Sequence, residues 1–250
     1  METAAAGSTK SHWDAADGSV VAVCDVRFSW PGSPRFTLDI KRFSVGNGER
    51  VLLLGPSGGG KSTLLSLLAG IVSPQKGRID ILGTDIGRVA GGARDRFRAE
   101  HFGIIFQMFN LLPYATVIDN VLLPLSFSER RRANVERGGT PADEACRLLE
   151  RLGLPAGEIG GLRASSLSVG QQQRVAAARA LIGRPEIVIA DEPTSSLDRQ
   201  RQKEFLELLF EETGAAGSTL IMVSHDERLA ELFNRSVRLD EIAKIERSRA

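Results

Sequence analysis

The segment GPSGGGKST, Gly55 to Thr63, holds the most specific chemistry in the chain. Gly55, Gly60, Lys61 and Ser62 match G-x-x-x-x-G-K-[ST], which this composition would produce by chance in about 3 of 100,000 windows, so accident is a poor explanation. Glycines let successive backbone N–H groups turn inward around an anion, and a helix starting at Lys61 adds the positive end of its dipole. The expected cradle runs through Gly55, Pro56, Ser57, Gly58, Gly59 and Gly60. Lys61 would reach β- and γ-phosphates, Ser62 would ligate Mg²⁺, and Thr63 would donate to the α-phosphate. The expected ligands are therefore a nucleotide and Mg²⁺.

A second constellation closes the apolar run EIVIADE, Glu186 to Glu192. A carboxylate at the C-terminal end of a core strand, beside a phosphate loop, suits an outer contact to Mg²⁺, the role expected of Asp191. Glu192, one residue on, points elsewhere, toward an attacking water. Taken alone the pair could equally be two solvated acids; the phosphate loop tips the balance.

These residues need a frame to hold them. VVAVCDVRFSW and FTLDIKRFSV read as a hairpin joined through PGSPR, and VLLLG as a short buried strand ahead of the helix KSTLLSLLAGI. QKGRIDILG and HFGIIFQ read as further strands. From about 108 to 168 the texture turns helical: TVIDNVLLPL is helix-compatible, SERRRANVERGG reads as a charged loop, and TPADEACRLLERLGL as a helix capped by Thr140 with Pro141 in its first turn. Strand and helix then alternate to the C-terminal region: VGQQQRVAAARALIG, EIVIADE, RQKEFLELLFEETG, TLIMVSH, DERLAELFN and SVRLD. Such alternation predicts an α/β core with a mostly parallel sheet covered on both faces, and the phosphate loop Gly55–Thr63 makes the expected fold that of a P-loop NTPase. A small antiparallel β subdomain on its N-terminal side and an inserted helical subdomain complete the expected architecture. Residues 1–18, small and polar, are expected to be a disordered tail, and 19–250 one domain.

The string LSVGQQQRVAAARALIGRPEIVIADEPTSSLD resembles the ATP-binding subunits of ABC transporters. Leu167-Ser168-Val169-Gly170-Gln171 stands for the family signature and Ser195-Ser196-Leu197-Asp198 for its D-loop. Gln107, in GIIFQMFNLLP, matches the Q-loop glutamine, and His225, in TLIMVSHD, the switch histidine. The motifs follow the family's order over about Val20 to Asp240. Individually each has a plainer reading: a polar strand end at Gln107, a helix cap at Ser168, a solvated histidine at His225. Six in order at fitting spacing do not. The chain departs at Val169, where the family usually has glycine; Ser168 and Gly170, which would face the γ-phosphate, are kept. Trp30 sits where the family stacks an aromatic on adenine, with edge packing on Phe28 or Phe36 as the alternative.

The resemblance implies a head-to-tail homodimer or closely related heterodimer with two ATP molecules between the subunits. Glu192 would polarise the water, His225 would hold Glu192 or the γ-phosphate, and Gln107 would sense Mg²⁺ and link to the helical insertion. Ser168, Gly170 and Gln171 would close the partner's site, and Asp198 would line the interface. It also implies a membrane permease docked near Gln107, where Phe106, Met108, Phe109, Leu111 and Leu112 form an apolar cluster that could equally be core. FQMFNLLPYATVIDNVLLPL looks most like the lipoprotein-release, macrolide-export and FtsE-like group. Alternatives are a regulator of a membrane complex, of the cell-division type, and a soluble non-transport ABC ATPase. The second is disfavoured by the absence of sustained heptads between Lys61 and Ser168.

Composition narrows the field. The chain's 250 residues carry 32 basic and 31 acidic side chains, net +1, which argues against nucleic acid as the partner. Cys24 and Cys146 make no disulfide framework and suit a reducing compartment. No apolar run approaches the ~18 residues of a membrane span, and the N-terminal residues lack a signal-peptide pattern. The expected location is the cytoplasmic face of a bacterial inner membrane, held there peripherally. The run Arg130-Arg131-Arg132 is expected on a solvated loop, with lipid headgroups as a lesser possibility.

Overall fold

The computed structural model describes residues 18–32, 36–195 and 197–247. The expected tail, apart from Gly18, lies outside the described residues, as do three positions of the PGSPR turn and Ser196.

The expected hairpin forms from β1 (Ser19–Ser29) and β2 (Phe36–Gly46), antiparallel from Ser19↔Gly46 to Ser29↔Thr37. β3 (Arg50–Leu54) runs into the phosphate loop, and helix α1 (Lys61–Leu68) follows it. β4 (Lys76–Ile81) and the two-residue β5 (Thr84–Asp85) extend the hairpin sheet. A polar helix, α2 (Gly91–His101), leads into β6 (Phe102–Ile105). Four helices come next: α3 (Val117–Leu122), α4 (Glu129–Glu136), α5 (Pro141–Arg151) and α6 (Ala156–Ile159). The chain re-enters the core through α7 (Val169–Leu181), β7 (Ile187–Asp191), α8 (Arg199–Ala216) and β8 (Thr219–Ser224). It ends with β9 (Arg235–Arg238), α9 (Leu239–Ile242) and β10 (Ala243–Arg247).

The core sheet is parallel, in the order β6-β7-β8-β3-β9, and the second is antiparallel, in the order β10-β2-β1-β4-β5. The parallel sheet divides two hydrophobic clusters by simple alternation. In β3, Leu52 and Leu54 face the cluster shared with the inserted helices, while Val51 and Leu53 face α1 and the antiparallel sheet. Truncating one such fully buried leucine to alanine costs about 2–5 kcal/mol, so the sheet is a stiff platform for its loops.

Two local readings are corrected. SERRRANVERGG is not a loop: Ser128 caps α4 by accepting from Arg131 N, and Arg131 is only 2% exposed. Its guanidinium donates to the carbonyls of Ile182 (2.8 Å), Ala180 (2.8 Å) and Phe102 (3.0 Å), the end of α7 and the start of β6. Burial pushes its pKa down to about 10, opposed by the nearby Glu186. The segment DERLAELFN closes as a 3₁₀ turn, Glu227–Leu232, rather than an α-helix.

Arg131 thus ties the inserted helices to the core. Arg131→Met keeps the stem but orphans buried carbonyls, and is expected to lower the unfolding free energy by about 2–4 kcal/mol. A denaturant midpoint equal to the wild type would contradict that reading of Arg131.

Candidate active site

The C-terminal ends of the parallel strands converge. Leu54 pairs in register with Ser224, Asp191 with Val223, and Ile105 with Ala190. The loops leaving these ends therefore meet in the crevice where open α/β sheets hold ligands. Those loops are Gly55–Gly60 after β3, Gln107 after β6, Glu192 after β7 and His225 after β8.

Helix α1 starts without a side-chain cap. Its N-cap is Gly60 at φ +87°, and its first turn holds no acidic side chain. A capping Ser or Asp would normally satisfy the exposed N–H groups. Here no side chain caps them. Glycine is required at Gly59 for another reason: a Cβ there would lie 2.8 Å from the Pro56 carbonyl, which accepts from Gly59 N to close the turn.

Lys61 folds back over the loop, nearly buried, with Nζ donating to the carbonyls of Gly55 (2.7 Å) and Pro56 (3.1 Å). The same ammonium lies 3.0 Å from Glu192 Oε1, and His225 Nδ1 lies 2.9 Å from Glu192 Oε2. Glu192 is thus gripped on both oxygens. Its backbone is left-handed, φ +44°, a conformation costing a non-glycine residue about 1–2 kcal/mol. Backbone hydrogen bonds from Glu192 N to Val223 O and from Ser195 N to Glu192 O hold it there. Burial alone would raise the Glu192 pKa, but hydrogen bonds from Lys61 and His225 outweigh it and hold the pKa below the usual range.

Asp191 is tuned the other way. Burial raises its pKa, with the neighbouring charge of Glu192 adding to the rise, while a hydrogen bond from Ser62 and the charge of Lys61 oppose it. A half-buried carboxylate beside a hydroxyl, with a second acid adjacent, gains from a hard divalent cation. Among the described residues no group of three His, Cys, Asp or Glu side chains could hold a metal alone. A site completed by a hydroxyl, phosphate oxygens and water matches this donor set, as Mg²⁺ prefers.

A cavity of about 320 Å³ gathers Trp30, Ser57, Gly58, Gly59, Gly60, Lys61, Ser62, Thr63, Gln107 and Glu192, with Phe36. Trp30 forms one wall. Its ring meets Phe28 edge-on at 5.2 Å, and Nε1 donates to Thr63 Oγ1 at 3.2 Å, so the edge-packing alternative and the cavity-lining position both hold.

The signature residues lie apart from this lining. Ser168 caps α7, accepting from Gln171 N while Gln171 Oε1 accepts from Ser168 N at 2.9 Å. Ser168 is exposed and Gln171 partly so, beside Val169, which is 53% exposed and in the extended-to-helical transition where a β-branched residue is at ease. Asp198, also exposed, caps α8 through Arg201 N. Of the apolar cluster after β6, Phe109 and Leu111 join the helical core, Met108 is exposed, and Phe106 lines a groove. That groove, about 530 Å³, runs between α2 and the inserted helices past Ile104, Leu123, Pro124 and Phe127.

Sequence reasoning missed Arg179, whose guanidinium, nearly buried, donates to the carbonyls of Phe109 and Asn110 just after Gln107. An arginine in the apolar helix run VAAARAL was the available signal. Among the described residues no helix is long and apolar enough to cross a membrane.

Comparison with known proteins agrees with this geometry. The model of the family described as ABC transporter matches residues 38–195. The Escherichia coli (strain K12) uncharacterized ABC transporter ATP-binding protein YbbA is 43% identical over 195 residues, 78% of this chain and 82% of that protein. The lipoprotein-releasing system ATP-binding protein LolD of Novosphingobium aromaticivorans is 41% identical over 208 residues, 82% of this chain and 89% of that protein. The dimeric post-hydrolysis state of the ATP-binding cassette MJ0796 bound to ADP and Pi superposes with a TM-score of 0.76 at 30% identity, covering 92% of this chain and 99% of that one. The chain belongs to the ABC transporter family, as an ATP-binding and ATP-hydrolysing subunit.

Proposed function

We propose that two copies of the chain, or one copy and a close relative, enclose two ATP molecules head to tail and power a separate permease of the lipoprotein-release and macrolide-export type. One observation carries the composite site. Ser168, exposed, and Gly170, partly exposed, stand at the start of α7, outside the cavity formed by the chain's own phosphate loop, so they are available to another subunit's γ-phosphate.

In this reading the inward N–H groups of the loop, the start of α1 and Lys61 bind the triphosphate. Ser62, Asp191 and Gln107 would hold Mg²⁺, which would supply positive charge against the β- and γ-phosphates. Glu192, ionised and oriented by His225, accepts the proton of the attacking water. Gln171 supports Ser168 through their shared capping hydrogen bonds, and Asp198 lies on the surface facing the other subunit. Closure excludes bulk water and completes the charge arrangement, so turnover depends on dimerisation.

Trp30 would stack on adenine. Aromatic stacking is worth about 0.5–1.5 kcal/mol, so Trp30→Ala is expected to raise the ATP Kd by about 2–12-fold. Fluorescence titration with ATP checks this; an unchanged Kd would leave Trp30 with only its packing on Phe28 and its hydrogen bond to Thr63.

The permease would seat its cytoplasmic segments in the groove beside Phe106 and Phe127, placing the chain peripherally on the cytoplasmic face of the inner membrane. The likeness to LolD and the string FQMFNLLPYATVIDNVLLPL support this type of permease. ATP turnover with and without the permease in nanodiscs tests the assignment. Stimulation by the permease is expected, and identical rates would favour a regulatory or non-transport ATPase.

A further inference from the structure

Arg179 is an expensive residue where it stands. It is 8% exposed, in the last turn of α7, and burial lowers its pKa without an opposing carboxylate. Burying a guanidinium away from any counter-ion costs several kcal/mol unless its donors are well used. They are used on one target. Nη1 donates to the Asn110 carbonyl at 2.6 Å and Nη2 to the Phe109 carbonyl.

Those two carbonyls belong to a strained turn. Phe109 (φ +59°) and Asn110 (φ +50°) are consecutive non-glycine residues in the left-handed region, which costs Phe109 about 1–2 kcal/mol and Asn110 less. The turn closes through Phe109 N to Phe106 O (2.9 Å) and Asn110 N to Met108 O (2.6 Å), and the Phe109 side chain is anchored in the helical core. Gln107 lies inside this turn, and its position at the cavity follows from the turn's shape. The bidentate guanidinium therefore offsets the strain that aims Gln107. Because Arg179 is part of α7, the same contact ties Gln107 to the helix whose first turn carries Ser168 and Gly170.

We propose that Arg179 is a positioning residue for ATP hydrolysis, holding the Phe106–Asn110 turn so that Gln107 is set at the site and moves together with α7. The proposal rests on the role given to Gln107 above. It differs from plain core packing, which an aliphatic side chain would serve at lower cost.

The test is a double-mutant cycle in steady-state ATP turnover of the full chain with Mg²⁺, using Arg179→Gln, Gln107→Ala and the pair. Misplacing Gln107 is expected to lower kcat by about tenfold in Arg179→Gln, with KM for ATP changed less than about twofold. In the Gln107→Ala background the Arg179 substitution should have no further effect, because the group it positions is gone. Asn110→Gly, which adopts the left-handed conformation without strain, should restore part of the kcat lost in Arg179→Gln.

If Gln107→Ala lowers kcat but the two substitutions add, or if KM rises in step with the fall in kcat, Arg179 is structural and the proposal is overturned while the role of Gln107 stands. If Gln107→Ala leaves kcat unchanged, the role of Gln107 fails and the proposal with it. Should Arg179→Gln not fold, Arg179→Lys keeps charge but offers no fork. It is then expected to lower kcat about threefold, again only when Gln107 is present; the same loss in both backgrounds would overturn the proposal.

Discussion

Glu192→Gln is expected to lower ATP turnover by at least about a hundredfold while ATP still binds, since general bases contribute roughly 10²–10⁴-fold. The substitution preserves shape, so the left-handed backbone at φ +44° and its hydrogen bonds to Val223 and from Ser195 remain. Lys61 keeps the carbonyls of Gly55 and Pro56 as acceptors. What is lost is a carboxylate held ionised by Lys61 and His225, and an amide cannot take the proton of water. Single-turnover measurements separate this from slow product release. Turnover within threefold of the wild type would remove Glu192 as the base, whatever its geometry.

The second large effect is expected on binding. Lys61→Ala deletes the ammonium at the mouth of the loop, and a charge-assisted hydrogen bond is worth about 1.5–3 kcal/mol, so the ATP Kd should rise by about 10–150-fold. The change acts twice, because Glu192 also loses the cation 3.0 Å from its Oε1 and stands beside the half-buried Asp191 with less opposing charge. Binding of ATP should therefore suffer even before catalysis is considered. Isothermal titration with ATP and Mg²⁺ checks it, and an affinity equal to the wild type would show that the backbone cradle alone suffices. The near-zero net charge of the chain concealed this site because one lysine, glycine amides and a helix end do the work locally.

How legible each part was in the sequence follows from its physics. The buried strands β3, β7 and β8 were plain because continuous apolar runs bounded by glycine and acids have few other readings. Helix α2 was missed because it buries none of its residues fully, leaving no apolar periodicity to read. Helix α4 reads as a loop in sequence because charge masks its signals: the cap is Ser128, and its buried anchor is an arginine satisfied by carbonyls far away in sequence. The short β10 was unread; its place at the edge of the antiparallel sheet depends on pairing with β2, a contact across most of the chain. The site itself was readable as motifs. The grip of Lys61 and His225 on both oxygens of Glu192, and the clamp of Arg179 on the turn after Gln107, depend on loops meeting at one sheet edge and could not be read from spacing.

The central claim is that one chain's phosphate loop and another's signature form a single ATP site. The most direct measurement is the mass in solution of Glu192→Gln, by light scattering, with ATP and Mg²⁺, with ADP, and with Ser168→Arg added. A dimer holding two ATP per two chains is expected with ATP alone, reverting to monomer with ADP or when Ser168→Arg obstructs the signature. A monomer saturated with ATP, or a dimer indifferent to both nucleotide and Ser168→Arg, would contradict the account.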